Sequence, residues 1–110
     1  MEPIKVRSWA EYIEKHPDFT GCLINEDNDI DVAWYKNGLQ HREDGPAIEY
    51  FSSYKAWWLN GERHREDGPA VEYGDGRKEW WLNGDYKSEQ QWKIAVRKIK
   101  LEKVLKKING

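Results

Sequence analysis

The sequence has a single cysteine, Cys22, so no disulfide can form within the chain and no cysteine cluster can hold zinc or an iron–sulfur centre. It has no run of about eighteen apolar residues, and its N-terminal segment lacks the apolar stretch of a secretory signal. These absences predict a cytoplasmic protein that does not bind or cross a membrane. They also predict a fold that no disulfide stabilises.

Hydrophobic residues are scarce, at 38% of the 110 residues, while charged residues make up 35%. Such a composition approaches that of disordered chains. Seven Trp, six Tyr and two Phe compensate, because each aromatic side chain buries a large apolar area. We therefore expect one folded domain over residues 1–110, with a core that is aromatic rather than aliphatic.

The net charge of −2 conceals two segments of opposite sign. Residues 1–86 carry ten Lys and Arg against eighteen Asp and Glu, whereas residues 87–110 carry eight against two. An acidic body repels phosphate, which argues against nucleic acid as its partner and leaves only the basic tail as a weak binder. The sign of the body's charge agrees better with a basic groove on another protein.

A 23-residue repeat fills the middle of the chain. An Asn-Gly pair occurs three times, at Asn37-Gly38, Asn60-Gly61 and Asn83-Gly84. The block HREDGPA occurs twice, at residues 41–47 and 64–70. A fixed period of this length is typical of one supersecondary unit stacked on copies of itself.

Each unit is predicted to hold two chain reversals. Asn-Gly tolerates positive φ at both central positions of a type I′ turn and so predicts a β-hairpin, with strands near residues 55–59 and 62–65 in the second unit. In the Glu-Asp-Gly-Pro reversal that follows, the Asp side chain is expected to accept hydrogen bonds from turn amides; the residues are Asp44-Gly45 and Asp67-Gly68. Repetition of these reversals predicts an antiparallel β-meander.

Two helices are predicted to flank the meander. Ser-Trp-Ala-Glu at residues 8–11 is a capping-box pattern and predicts a short helix near residues 9–16. Ser-Glu-Gln-Gln at residues 88–91 repeats the pattern and begins a basic helix that runs to about residue 108. We therefore expect an α+β fold, an antiparallel β-meander of stacked hairpin repeats with a short N-terminal helix and a longer C-terminal capping helix. The three segments of this single domain are residues 1–21, 22–86 and 87–110.

Two surfaces are candidates for binding a partner. Adjacent residues of a strand point to opposite faces, so each face of the sheet carries an aromatic row, one of Trp34, Trp57 and Trp80 and the other of Tyr35, Trp58 and Trp81. A single sheet cannot cover both rows, and the second row is a predicted partner-binding surface. The other surface is an apolar stripe on the C-terminal helix, opposite its sheet-facing side, formed by Leu101, Val104, Leu105 and Ile108, with Ile94 nearby.

The stripe can be buried in two ways. The helix either bends so that the stripe packs on the chain's own body, or stays straight and buries the stripe against another chain, including a second copy. The sequence favours neither.

His41 and His64 are the candidates for chemistry, because each precedes Arg-Glu-Asp. Equivalent residues of two units stand roughly 10 Å apart by strand spacing, too far to share one metal ion. We therefore interpret both histidines as structural and expect no metal and no cofactor. No phosphate-binding loop or hydrolase motif is present, and Cys22 is interpreted as a small core residue.

Residues 26–86 resemble MORN-type hairpin repeats in two stretches: Tyr-Gly-Asp-Gly before Trp-Leu-Asn-Gly at residues 73–84, and Trp-Leu-Asn-Gly with a His three residues later at residues 58–64. The HREDGPA block makes them most similar to divergent bacterial and bacteriophage variants. Arg42 and Arg65 stand where that family has a Gly after the His, so its close backbone approach is not expected here. The resemblance implies a binding module or scaffold for proteins or lipids, with no shared catalytic residue.

The sequence thus predicts a small protein-binding module without enzymatic activity, in the form of a phage-encoded inhibitor or modulator of a host protein. The first alternative is a self-assembling scaffold that dimerises through the C-terminal helix. The second is a module that binds nucleic acid or lipid.

Overall fold

The structure, a computed structural model, describes residues 2–109, and they form an α+β fold as the sequence predicted. A mostly antiparallel sheet lies between a short N-terminal helix and a long C-terminal one. In chain order the elements are β1 (Ile4–Val6), α1 (Trp9–Lys15), β2 (Gly21–Asn25), β3 (Val32–Lys36), β4 (Leu39–Gln40), β5 (Ile48–Glu49), β6 (Lys55–Ala56), β7 (Trp58–Leu59), β8 (Glu62–Arg63), β9 (Val71–Glu72), β10 (Lys78–Leu82), β11 (Asp85–Lys87) and α2 (Glu89–Asn109).

The main sheet has the strand order β1-β2-β3-β5-β6-β9-β10-β11, and its pairings are antiparallel except that of β1 with β2. The sequence pattern predicts only a helix within residues 1–21, so β1 is a correction. Three residues are too few to show a period. This strand exists because β2 supplies partners for its backbone groups.

The two halves of each repeat's first strand differ in their pairing. In the first unit, Val32 and Ala33 of β3 pair with β5, whereas Tyr35 and Lys36 pair with β4. In the second unit the strand is interrupted at Trp57, so β6 pairs with β9 while β7 pairs with β8 in a separate two-stranded sheet. The meander is therefore confirmed, but its hairpins branch away from it and the predicted strand 55–59 is two strands.

The three Asn-Gly turns have the predicted type I′ geometry. The Asn φ angles are 50° or 51° and the Gly φ angles are 80° or 81°. Gly38 is required for a second reason, because a Cβ there would collide with the carbonyl oxygen of Pro17. Turn chemistry therefore sets both the hairpin and the close approach of the first hairpin to the N-terminal segment.

The buried core consists mainly of small and aliphatic side chains, which corrects the expectation of an aromatic core. Tyr35 is the aromatic exception in the central cluster, whose buried members are Leu23, Ala33, Tyr35, Ile48, Ala56 and Val71. Tryptophan and other aromatic rings pack around this cluster while partly exposed. Short strands in one layer enclose an Ala or Val completely but not a large ring.

Helix α2 closes the last repeat with its first three turns. Ser88 and Gln91 form both bonds of the predicted capping box, at 3.1 and 3.0 Å. Trp92 and Val96 are buried beside Leu82, and the Trp92 Nε1–H donates to the carbonyl of Arg65 at 2.8 Å. Residues 100–109 are all exposed. The helix continues without a bend onto the body, so that alternative for the stripe is wrong.

Replacing Trp92 with Ala is expected to lower the free energy of unfolding by about 3–5 kcal/mol, because a buried ring and its hydrogen bond are lost. Leu101→Asp, on the exposed side of the same helix, is the matched control and should change this free energy by less than about 1 kcal/mol. Urea unfolding followed by circular dichroism measures both. A large loss in the Leu101 variant would mean that the stripe packs on the body.

Candidate functional site

The two histidines tie neighbouring repeats together. His41 Nδ1 accepts the backbone N–H of Asn60 at 2.9 Å, and His64 Nδ1 accepts that of Asn83 at 3.0 Å. A backbone amide always donates, so Nδ1 carries no proton and the neutral ring carries its proton on Nε2. Each histidine thereby holds the Asn-Gly turn of the next unit, a role that agrees with its structural interpretation.

Each arginine after a histidine lies over the tryptophan of its own unit. The guanidinium carbon of Arg42 lies 4.5 Å from the ring centroid of Trp34, and that of Arg65 lies 3.7 Å from that of Trp57. The first aromatic row is therefore covered by cations of the chain itself. In the third unit, which has no such arginine, Trp92 packs on Trp80 with 4.7 Å between ring centroids.

The aspartates of the blocks hold these arginines rather than the turn amides, which corrects their predicted role. Arg42 Nε donates to Asp44 Oδ1 at 2.9 Å, and Arg65 Nε donates to Asp67 Oδ1 at 3.0 Å. The Nη1 atoms of the same arginines donate to the carbonyls of Pro46 and Pro69, at 3.2 and 3.1 Å. The arginine bridges the reversal, and the aspartate orients it.

The second aromatic row is only partly available to a partner. Tyr35, a predicted binding residue, is 9% exposed and belongs to the core, because α1 and the neighbouring strands cover it. Trp58 and Trp81 are half-buried, and the Arg63 guanidinium carbon lies 5.3 and 5.0 Å from their ring centroids. The chain's own arginine fills the space between these rings.

Glu79 contacts Trp81 of this row and the arginine between the two rings. Its carboxylate accepts the Tyr73 hydroxyl at 2.7 Å and the Trp81 Nε1–H at 2.9 Å, and lies 3.9 Å from Arg63 Nη1. Burial acts to raise the pKa of Glu79, but these donors and the arginine outweigh it and lower the pKa. The carboxylate is therefore kept charged as a structural acceptor.

An open groove of about 590 Å³ lies between the two HRED blocks, defined as residues 41–44 and 64–67, and helix α2. Trp57 and Leu59 line it with charged side chains, including Lys100 of α2. At one end Lys103 donates to Glu66 at 2.9 Å, and the other carboxylate oxygen of Glu66 lies 3.0 Å from His64 Nε2. This charge-assisted bond joins the C-terminal half of α2 to the second HRED block. Sequence patterns did not predict it.

The Lys103 ammonium is the main reason that the pKa of Glu66 lies below its ordinary value of 4.5, with His64 contributing in the same direction against burial. Glu66 therefore stays ionised in mildly acidic solution. Lys103 could not be singled out in advance, because it is one of seven Lys and Arg within α2. Trp92 had a clear sequence signal, since it lies in the helix that replaces the third HREDGPA block.

The stripe of α2 is exposed to solvent. The fractional exposure of its side chains lies between 47 and 72%, and its members are Ile94, Leu101, Val104, Leu105 and Ile108. All five are large aliphatic residues on one side of the helix, opposite Trp92 and Val96. Soluble proteins seldom leave so many aliphatic side chains together in water.

Three further observations concern metal binding, thiol reactivity and membrane insertion. Between residues 2 and 109, no three His, Cys, Asp or Glu side chains cluster closely enough to hold a metal ion. Burial raises the pKa of the Cys22 thiol, which disfavours the reactive thiolate. Neither helix within residues 2–109 has the length and apolarity needed to cross a membrane.

The chain matches no family model, no curated protein and no solved structure. Its resemblance to MORN-type repeats stays a prediction.

Substituting His64 with Ala is expected to lower the free energy of unfolding by about 1–3 kcal/mol, because the Asn83 amide loses its acceptor and a buried ring is removed. Asp67→Ala, in the same block, is the control, with an expected loss below about 1 kcal/mol since its ion pair is exposed. Thermal and urea unfolding of both variants test the order. Equal losses would contradict this order and mean that the aspartate stabilises the stack as much as the histidine does.

Acid is expected to weaken the Lys103–Glu66 contact. A carboxylate whose pKa is lowered by folding stabilises the native state fully above its unfolded pKa, and this contribution disappears as pH falls through the lower folded value. The difference in unfolding free energy between wild type and Glu66→Gln should therefore be constant above about pH 5 and shrink below the ordinary pKa of 4.5. Urea unfolding across pH measures it. A difference that grows with acid would reverse the assignment.

Proposed function

We propose that this chain is a small protein-binding module without catalytic activity, and that the exposed stripe of α2 is its main binding surface. The observation that supports the proposal is the contrast along one helix. Its first three turns are anchored by Trp92 and Val96, whereas residues 100–109 extend it with an exposed aliphatic side. The repeats do not need this extension to be capped, so it is available for a partner.

The charge of the helix indicates what kind of partner fits. Helix α2 carries seven Lys and Arg against two Glu. Lys93 pairs with Glu89 and Lys103 with Glu66, which leaves five cations without an ion pair to any residue in the range 2–109, namely Arg97, Lys98, Lys100, Lys106 and Lys107. On a helix of about 3.6 residues per turn, Arg97 and Lys98 lie between Ile94 and Leu101 on the side that carries the stripe.

An amphipathic helix of this kind binds by laying its apolar side into a groove. The unpaired cations favour an acidic rim around that groove, because opposite charges across an interface speed and orient association. We therefore propose an acidic protein with an apolar groove as the partner. Occupancy of that groove would let the module inhibit or modulate the partner, in keeping with the inhibitor predicted from the sequence.

A self-assembling scaffold is the second candidate function. One observation favours it, since Ile94, Leu101 and Ile108 recur at the seven-residue spacing of helices that pair with each other. The charge of the helix opposes it, because two copies of α2 side by side would bring like charges together. We therefore place the scaffold second.

The test compares wild type with a double variant, Leu101→Asp plus Leu105→Asp, and with Phe51→Asp, an exposed apolar residue of the β5–β6 loop, as the matched control. Each folded protein is immobilised and exposed to an extract of its native host. We expect wild type and Phe51→Asp to retain the same acidic protein, and the double variant to lose it. Raising the salt concentration should weaken retention, because screening removes the ionic part of the contact.

Three results would contradict this function. Retention of the same protein by the double variant would remove the stripe from the interface. A wild-type dimer in sedimentation that becomes a folded monomer in the double variant, without any retained protein, would favour the scaffold. Stripe-dependent binding to anionic phospholipid vesicles without a protein partner would make the helix a lipid-binding element.

A further inference from the structure

The two HRED blocks have the same sequence but differ in the contacts of their glutamates. In the second block, His64 Nε2 lies 3.0 Å from Glu66, and Lys103 binds the other oxygen of that carboxylate. In the first block, His41 Nε2 lies 3.8 Å from Glu43 Oε2, too far for a hydrogen bond. The first block is thus an open copy of a site that the second block shows completed.

The open copy leaves a buried donor unused. His41 Nδ1 accepts the Asn60 amide, so the ring proton is on Nε2. That nitrogen is buried, within a side chain only 10% exposed, and it has no hydrogen-bond partner in the part of the chain that the structure describes. Buried polar atoms without a partner are rare in folded proteins, because the loss of hydration is not replaced.

Glu43 is the carboxylate that would complete the site. Its side chain is 81% exposed, whereas that of Glu66 is 30% exposed. Moving a carboxylate from water towards a buried ring costs hydration energy, which a cation on its other oxygen offsets. Lys103 supplies that cation in the second block, and no equivalent cation contacts Glu43 among residues 2–109.

We propose that His41 and Glu43 form a docking site for a lysine or arginine side chain of a partner protein. The incoming cation takes the place that Lys103 takes at Glu66, and Glu43 then closes on His41 Nε2. The other carboxylates of the groove are less available, because Asp44 and Asp67 already hold Arg42 and Arg65. This site is separate from the stripe of α2, so either can fail without the other.

Tetralysine is the probe, and tetraglutamine is its uncharged control. The chain has three histidines, so the ring signals of His16, His41 and His64 can be followed separately by NMR during titration. We expect tetralysine to shift the His41 signal in a saturable way while His16 stays in place. Glu43→Gln, at a position whose side chain is 81% exposed, should weaken this response by about tenfold or more, because the charge-assisted bond is lost.

The second block supplies the decisive variant. Lys103→Met removes the internal cation while keeping a good helix former at an exposed position. The His64 signal should then respond to tetralysine as His41 does in wild type, whereas in wild type it should respond at least about tenfold more weakly. Circular dichroism confirms that the variants are folded.

Three outcomes would overturn the proposal. One is a Glu43→Gln protein whose His41 signal titrates like that of wild type. Another is a Lys103→Met protein whose His64 signal stays unresponsive to tetralysine. The third is a His41 signal that changes in Lys100→Met when no peptide is present. Lys100 lines the same groove, and such a change would mean that Lys100 of this chain, rather than a partner, supplies the cation to Glu43.

Discussion

The hydrogen bond from the amide of an Asn-Gly turn to the unit before it is the contact on which the stack depends. His41 and His64 accept this bond from the second and third hairpins, and the Thr20 hydroxyl accepts it from Asn37 of the first. A type I′ turn leaves its backbone amides pointing outwards, so each hairpin needs an acceptor on its neighbour. Once these bonds set the spacing, the arginines fall over the tryptophans of their own units.

The two ends of the stack are closed differently. At the N-terminal end, Phe19 and Thr20 receive the first Asn-Gly turn, in place of a preceding hairpin. At the C-terminal end no fourth hairpin follows, and α2 covers the last unit with Trp92. Repeat proteins require such terminal caps because an end unit would otherwise expose its apolar face. Here α2 is longer than is needed to cover the last unit, and its additional turns carry the proposed binding surface.

The two proposed sites carry charges of opposite sign. The extension of α2 offers a basic, apolar surface, while the first HRED block offers a carboxylate beside an unused donor. Lys100 lines the groove that Glu43 also lines, so the two surfaces adjoin. A partner with an acidic groove and a nearby lysine or arginine would contact both. The Lys103–Glu66 contact joins α2 to the second HRED block.

Local chemistry made much of the fold predictable from the sequence alone. Positive φ at Asn-Gly, the capping boxes and the 23-residue period act within a few residues or repeat identically, so they fixed the hairpins, the helices and the α+β class. Only the tertiary structure showed four other features: the burial of Tyr35, the pairing of Asp44 with arginine, strand β1 and the open state of Glu43. Each of these depends on which groups, distant in sequence or competing for the same partner, contact the side chain or strand in the folded protein. Sequence period places residues on a face, but only packing decides what covers that face.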